Sequence, residues 1–480
     1  MINIPKNLEN IVKKLENAGF EAFLVGGCVR DYLRNVEPKD WDITTNARPE
    51  EILKVLPEGK YENDFGTVIY PVKNKDAEVD DVYEITTYRS EQGYSDSRHP
   101  DEVKFEKELD KDLERRDFTV NAMAMNINNQ NIVDLFGGQK DIEKEIIRAV
   151  GEPENRFKED ALRLMRAVRF HAELGYTIEE KTERATKKLA GSIKFVAKER
   201  IKDELVRILK SDKPYEGFLK LYRLNLLNYI IPELLEGDGV KQNHHHIYAV
   251  LKHNFLSLKN CPSKEWQVRL AALLHDVGKP RTYKIINNQV TFYNHEYVSE
   301  KLTRKIMKRL KFSTKDSDRV TNLVRNHMFY YNTGEVTASS VRRLIKKVGK
   351  DNLKDLIDVR IADRLGSNTP KGKPYKLKHL EYMFERVQND PVNVGMLELN
   401  GDEMIKNLGF EPGPKMGAVL DCLLAEVIEE PKLNTKEYLS KKALELNKED
   451  IEQLREKAKD KIEEKREEED RKMRRGYKVK

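Results

Sequence analysis

Two glycines and three carboxylates carry the first chemical signal in the chain. Gly26-Gly27 ends the apolar run FLV and opens the short basic segment CVRDYLR, and Asp40-Trp41-Asp42 follows shortly after. Glycine lets backbone N–H groups at a helix start approach a phosphate without Cβ interference. On a strand, Asp40 and Asp42 share one face about 7 Å apart while Trp41 faces the other side. Two such carboxylates repel unless a cation sits between them, and Mg²⁺ takes one or two protein carboxylates together with substrate phosphates. Glu84, in the strand-like VYEITTY, is placed to add a third carboxylate from a neighbouring strand. A lone DxD is more often a pair of exposed acids, but a phosphate cradle beside it points to phosphoryl or nucleotidyl transfer.

Two further segments add recognition chemistry. In RRDFTVN, Asp117 and Asn121 are four apart, and in EDALR, Asp160 and Arg163 are three apart, so each pair shares a face if helical. Cytosine and adenine both offer an amino donor beside a ring-nitrogen acceptor, which a carboxylate plus a guanidinium complements. Guanine and uracil present the opposite pattern. Taken alone, either pair reads more simply as a surface salt bridge.

The elements that must position these residues follow from hydrophobic periodicity. A helix over residues 6–18 ends at Gly19, then strand-like runs EAFLV, WDITT, TVIYPV, VYEITTY and AMAMNI recur to about residue 145. Long helical periodicities such as EDALRLMRAVRFHAEL take over beyond Ile142, apart from a hairpin expected at YKIINNQVTFY. At 480 residues the chain holds several domains, and 35% charged against 39% hydrophobic residues describes an ionised surface over an ordinary core. The net charge of +6 leans modestly towards polyanions. Three scattered cysteines, Cys28, Cys261 and Cys422, argue against a disulfide framework or a cysteine zinc site and fit a reducing cytoplasm. There is no signal-peptide pattern and no apolar run of about 18 residues, so no membrane partner is expected.

LVGGCVRD, KDWDITT, RRDFTVNAMA (115–124), DLFGGQKDI (134–142) and EDALRLMRAVRF (159–170), in this order, closely resemble the class II tRNA nucleotidyltransferases. These are the CCA-adding enzymes and their bacterial poly(A) polymerase relatives, within the polymerase-β-like superfamily. The match is dense over residues 5–240 and looser to about 435. The resemblance implies that Asp40 and Asp42 hold Mg²⁺, with Glu84 the third catalytic carboxylate. It implies nucleotide contacts from Gly26, Gly27, Arg30, Arg116, Asp117, Asn121, Asp160, Arg163, Arg166 and Arg169. Arg116 and Asn121 would meet phosphates, Asp117 a ribose hydroxyl, and Asp160 with Arg163 the base, as a protein template for C and A. The implied partners are tRNA, ATP and CTP. The long polar stretch between Tyr88 and Arg116 resembles the flexible loop of members that add the final adenosine, which favours full CCA addition. A-only addition, poly(A) synthesis, or an RNA-binding module without transferase activity are the alternatives. AKERIKDELV (197–206) resembles the family's neck helix and is expected to pack. Cys28 and Trp41 depart from the usual pattern as packing changes, and Cys28 is a candidate for thiol-reagent sensitivity.

Seven of the ten histidines fall between His244 and His327. Within LAALLHDVGK, His275 and Asp276 lie side by side in an apolar run, and burying adjacent ionisable groups is costly without a ligand or metal. With His253 before them and His295, His327 and Asp363 after, the order resembles the HD phosphohydrolase superfamily. That resemblance implies one or two divalent transition metals, Mn²⁺, Fe²⁺ or Ni²⁺, and hydrolysis of RNA-end phosphates; the alternative is a vestigial helical support for tRNA. His244, His245 and His246 read as structural or phosphate-facing. The expected class is α+β: a nucleotidyltransferase head (1–145), a helical neck (146–240), an HD-like helical domain (241–375), a helical tRNA-binding tail (376–445) and a charged helix or arm (446–480) expected to be solvated.

Overall fold

The computed structural model describes residues 2–63, 66–73, 79–92, 102–242, 247–333, 335–369, 372–388, 394–477 and 479. His244–His246 and the middle of the polar stretch after Tyr88 lie outside the described residues. The chain divides into two compact units, Met1–His327 with Asp358–Thr369, and Met328–Ile357 with Pro370–Lys480.

In the first unit, helix α1 (Lys6–Asn17) buries Leu8, Ile11, Val12 and Leu15 and gives way at Gly19 to β1 (Ala22–Val25). There follow α2 (Gly27–Leu33), β2 (Asp42–Thr45), α3 (Pro49–Val55), β3 (Lys60–Asn63), β4 (Thr67–Lys73) and β5 (Val79–Thr87). Strands β6 (Arg89–Gln92) and β7 (Glu102–Phe105) pair antiparallel, so part of the expected polar loop is a two-stranded ribbon. Helix α4 (Leu109–Glu114), β8 (Met123–Met125), β9 (Ile132–Asp134) and α5 (Gly138–Glu143) complete the head. Seven strands form one sheet in the order β3-β4-β5-β2-β1-β8-β9. Its pairings are antiparallel except for β2 with β5, where Asp42 stands opposite Glu84. Leu24, Ile43, Ile85, Met123 and Met125 form the core, with Trp41 buried among them.

The helical continuation runs through α6 (Pro153–Glu159), α7 (Arg163–Leu174), α8 (Glu180–Lys188), α9 (Lys198–Lys210) and α10 (Pro214–Arg223). Further helices, Val250–Lys259, Trp266–Leu274, His295–Arg309 and Thr314–Asn326, complete the unit with the second half of Leu353–Gly366. The expected hairpin is present, Lys284–Ile286 against Gln289–Thr291, turning through Asn287 and Asn288 at positive φ.

In the second unit the helix Ala338–Val348 buries Val341, Ile345 and Val348 and exposes Arg342, Arg343, Lys346 and Lys347. The charged tail is a helix, Ile451–Tyr477, the first of the two expected forms, but it is not solvated on every side. It buries Leu454, Ala458 and Ile462 against the helix Pro414–Glu429. Spaced four apart, these three make a narrow apolar stripe that the surrounding charges mask in the sequence.

Candidate active sites

The first site begins where β1 ends. Gly26 sits at φ +81 and caps α2, and a Cβ there would lie 3.0 Å from Arg116 Nη1 and 4.0 Å from Asp42 Oδ2. Only glycine leaves this approach open. Asp42 begins β2 in register with Glu84 of β5, so the two carboxylates stand on adjacent parallel strands, the neighbouring-strand placement expected for Glu84. Asp40 does not lie on the strand. It sits in a bend, exposed, because β1 pairs with β2 only as far as Leu24 opposite Ile43. It still lines the same cleft as Asp42, with Trp41 turned into the core. Burial raises the Asp42 pKa, with Arg116 opposing and Asp40 adding to the rise. Glu84 is raised by partial burial and then by Asp42, Glu62 and Asp40. The set is oxygen-only and mutually repulsive, the donor chemistry that fits a hard divalent cation.

Arg30 donates Nη1 to Asn121 Oδ1 at 2.7 Å and grips Asp31 with its other nitrogens, so Asn121 meets the cleft through its N–H groups. Arg116 Nη2 bonds Asp112 at 3.0 Å, while its buried Nε has no partner among the described residues. Asp117 and Asn121 do not share an α-helix. Thr119 N donates to Arg148 O and Val150 N to Asp117 O, holding the backbone extended before a single 3₁₀ turn, Thr119–Asn121. Burial would raise the Asp117 pKa, but Arg166, whose Nε donates to Oδ2 at 2.5 Å, and then Arg163 and Arg169 hold it low.

Asp160 and Arg163 are not partners of each other. Asp160 is extended at the end of α6, and its Oδ1 accepts from Leu162 N at 2.9 Å to start the next helix. Its ion pair is with Arg200 of α9, Nη2 to Oδ2 at 2.7 Å. Arg163 instead donates to Glu159 at 2.5 Å and to the backbone oxygens of Arg156 and Arg115 at 2.9 and 3.0 Å. The neck-like helix thus does more than pack: Arg200, Arg207 and Lys210 face the cleft. The partners of Arg200 and Arg207, Asp160 and Glu173, are distant in sequence, so the only local signal for these residues is their common helical face. Arg169 is nearly fully buried, over the Phe170 ring at 4.2 Å and 3.2 Å from Glu204. Burial, then Arg166, lowers its pKa to about 10. All ten expected nucleotide contacts and the two aspartates line one cleft of about 1110 Å³. Cys28 is 2% exposed and burial, with Asp42 nearby, pushes its thiol up to about 12, which argues against the expected thiol-reagent sensitivity.

The second site gathers His253, His275, Asp276, His295, His327 and Asp363, all buried. His275, His295 and His327 each set Nδ1 against a backbone carbonyl, of Ala272, Phe292 and Val324, at 2.7–2.8 Å. A carbonyl only accepts, so Nδ1 carries hydrogen and Nε2 is the ring nitrogen turned inward, towards Asp276 and the neighbouring imidazoles. Asp276 bridges two groups: Oδ2 lies 3.3 Å from both His253 and His275 Nε2, and Oδ1 lies 3.1 Å from His295 and 3.7 Å from His327 Nε2. Asp363 Oδ1 lies 3.3 Å from His253 Nε2. Neither Asp276 oxygen has a well-formed hydrogen bond among the described residues, although Lys279 Nζ is 2.6 Å from Oδ2. Burial opposes charge on His275, yet Asp276 and Asp363 outweigh it and raise its pKa to about 10. His327 is held well below its usual value by burial and then by His275. Gly278 makes the packing possible, since a Cβ there would meet Ser299 N at 2.5 Å and His295 O at 2.7 Å. Two groups of three ligand atoms within 4.8 Å of one another fit divalent metal binding.

Three stretches of the chain match known protein families. Residues 22–148 match the Poly A polymerase head domain, 175–237 a probable RNA and SrmB-binding site of polymerase A, and 246–368 the HD domain. The A-adding tRNA nucleotidyltransferase of Deinococcus radiodurans is 33% identical over 417 residues, covering 84% of this chain and 90% of that protein. The CCA-adding enzyme of Ligilactobacillus salivarius is 32% identical over 466 residues, covering 94% and 99%. The crystal structure of the Bacillus stearothermophilus CCA-adding enzyme in complex with CTP aligns at TM-score 0.60 and 26% identity, over 92% of this chain and 97% of that one. The chain therefore belongs to the tRNA nucleotidyltransferase family, the enzymes that include the CCA-adding and A-adding relatives, and it carries an HD domain.

Proposed function

We propose that this nucleotidyltransferase builds the 3′-terminal CCA of tRNA from CTP and ATP without a nucleic-acid template. The observation that most supports this reading is the in-register pair Asp42 and Glu84 beside the Gly26 turn. In the reaction the tRNA 3′-oxygen bonds to the α-phosphorus, the bond to the β-phosphate oxygen breaks, and pyrophosphate leaves. Asp40, Asp42 and Glu84 would hold Mg²⁺, which when bound neutralises phosphate charge and lowers the pKa of the 3′-hydroxyl. Arg116 and Asn121 donate to the triphosphate, and Arg30 keeps Asn121 turned that way. Asp117, kept ionised by Arg166, accepts from the ribose 2′-hydroxyl and favours ribonucleotides. Asp160 accepts from the base amino group and Arg163 donates to the ring nitrogen; guanine and uracil oppose both contacts. The exposed cations of Ala338–Val348 suit the tRNA backbone, with binding that weakens as salt rises.

The identity of one relative as an A-adding enzyme supports a second reading, addition of the final A alone. Incubating the protein with tRNA ending at the discriminator base, at C and at CC, with CTP and ATP separately and together, tests both. CCA addition extends all three and stops; A-only addition extends just the CC end; long tails or no growth would sink both readings.

We further infer that the HD centre is a divalent-metal phosphohydrolase acting on RNA-end phosphates such as 2′,3′-cyclic phosphates. His253, His275, Asp276, His295, His327 and Asp363 would hold Mn²⁺, Fe²⁺ or Ni²⁺, which supplies Lewis acidity and activates water. The inward Nε2 atoms around the bridging Asp276 support this reading. Metal analysis of the purified protein, together with hydrolysis of a 2′,3′-cyclic nucleotide, tests it; a metal-free, inactive wild type across all three ions would refute it.

A further inference from the structure

Asp112 belongs to neither expected residue set, yet it is fully buried and ionic. It lies on α4 three and four residues before Arg115 and Arg116, so one carboxylate reaches both guanidinium groups. Arg115 grips Oδ1 with Nε at 3.0 Å and Nη2 at 2.7 Å, and Arg116 Nη2 donates to Oδ2 at 3.0 Å. Thr44, two residues beyond Asp42 on β2, sets its hydroxyl 3.5 Å from the same Oδ2. Fixed at this end, Arg116 presents Nη1 to the Gly26 turn and Asp42 and leaves its buried Nε unpartnered. The backbone oxygen of Arg115, clamped through its own side chain, accepts from Arg163 Nη2 at 3.0 Å. Polar contacts, from 2.7 to 3.5 Å and joined through Arg115 itself, thus link the strand of Asp42, through Asp112, to Arg163.

We propose that Asp112 is a positioning residue that holds the phosphate-facing Arg116 and the base-facing Arg163 in one register, coupling nucleotide selection to alignment of the triphosphate. This rests on the roles of Arg116 and Arg163 proposed above. Asp112 touches no nucleotide; removing its charge lets both guanidinium groups shift, and displacements of about 1 Å at such groups cost on the order of 100-fold. Burial opposes ionisation of Asp112, but the two arginines outweigh it and lower its pKa to about 2, so the clamp is charged throughout the working pH range.

The test is kcat/KM for CTP and for UTP on tRNA ending at the discriminator base, in wild type, Asp112→Asn and Arg115→Lys. The ratio of the two values does not depend on how much of a variant is folded. We expect Asp112→Asn to lower kcat/KM for CTP by about 10- to 100-fold, with a raised KM, and for UTP by much less, so that the CTP/UTP ratio falls at least about fivefold. Arg115→Lys, which keeps the charge and loses the two-pronged grip, shifts the ratio the same way by less, and it carries the test if Asp112→Asn fails to fold. Equal loss for both nucleotides in the variants would make Asp112 a purely structural anchor and overturn the proposal. A wild type that does not discriminate CTP from UTP would instead refute the base-reading roles themselves, and this inference with them.

Discussion

At the residue scale the transfer centre trades stability for chemistry. The Asp42 carboxyl has its pKa raised by burial, with Arg116 opposing and Asp40 reinforcing, so the unfolded chain gives up its proton more readily than the folded one. The associated stability is present at low pH and is lost as pH rises past the ordinary carboxylate value of 3.8 towards the raised one. Asp42→Asn, neutral at all pH, should therefore raise the metal-free melting temperature at pH 7 by roughly 1–3 °C, a gain that shrinks as pH falls towards 4. The same substitution should cut nucleotide addition by more than about 100-fold, because losing even an outer-sphere partner of a metal costs about 10- to 100-fold. Thermal scans at pH 4.5 and 7 with single-turnover addition check both halves; a variant that melts lower at pH 7 would contradict the electrostatic account. Asp42 and Glu84 were legible in the sequence because each sits in a short strand-like run, although Asp40, expected on the same strand face, lies in the bend before it. The partner of Asp160 was not, since spacing along a chain says nothing of Arg200, 40 residues away, and Arg163 turned to Glu159 at i−4 rather than to Asp160 at i−3.

At the element scale the outcome depended on how much of each pattern was local. Strands, the asparagine hairpin turn and the break at Gly19 follow from local preference, and they stand where periodicity puts them. Asp40 and Asp117 left their expected elements for tertiary reasons: one lies past the end of its strand's pairing, the other in backbone paired with residues 148–150. The charged tail reads as solvated since its apolar positions are few, yet Leu454 is 0% exposed and its backbone oxygen accepts from Cys422 Sγ at 3.0 Å. Its burial makes the last helix part of the core with Pro414–Glu429 rather than an arm. Leu454→Ala should destabilise the second unit by about 2–4 kcal/mol, the usual loss for a buried leucine that leaves a cavity. Urea unfolding followed by a probe in that unit measures it; a change below about 0.5 kcal/mol would return the helix to the solvent, where substitutions have effects of that size.

At the scale of the whole molecule, two candidate metal centres of different donor chemistry share one chain. The head offers oxygen alone, from Asp42 and Glu84 across β2 and β5 with Asp40 beside them, whereas the HD centre offers four imidazoles and two carboxylates. Hard Mg²⁺ suits the first set, and nitrogen-binding transition ions suit the second. The two activities should therefore separate by ion as well as by mutation. After chelation, Mg²⁺ alone should restore nucleotide addition while hydrolysis of a 2′,3′-cyclic nucleotide returns only with Mn²⁺, Fe²⁺ or Ni²⁺. Asp276→Asn removes the carboxylate that faces both histidine groups, so it should abolish tightly held transition metal and hydrolysis yet leave addition within about twofold, the range of most substitutions far from a site. Asp42→Asn should do the reverse. Metal stoichiometry of each variant, measured beside both rates, distinguishes a lost ligand from a lost fold. If Mg²⁺ alone revived hydrolysis, or if Asp276→Asn slowed addition as much as hydrolysis, the two centres would not be chemically independent, and the division of labour drawn from their ligands would fail.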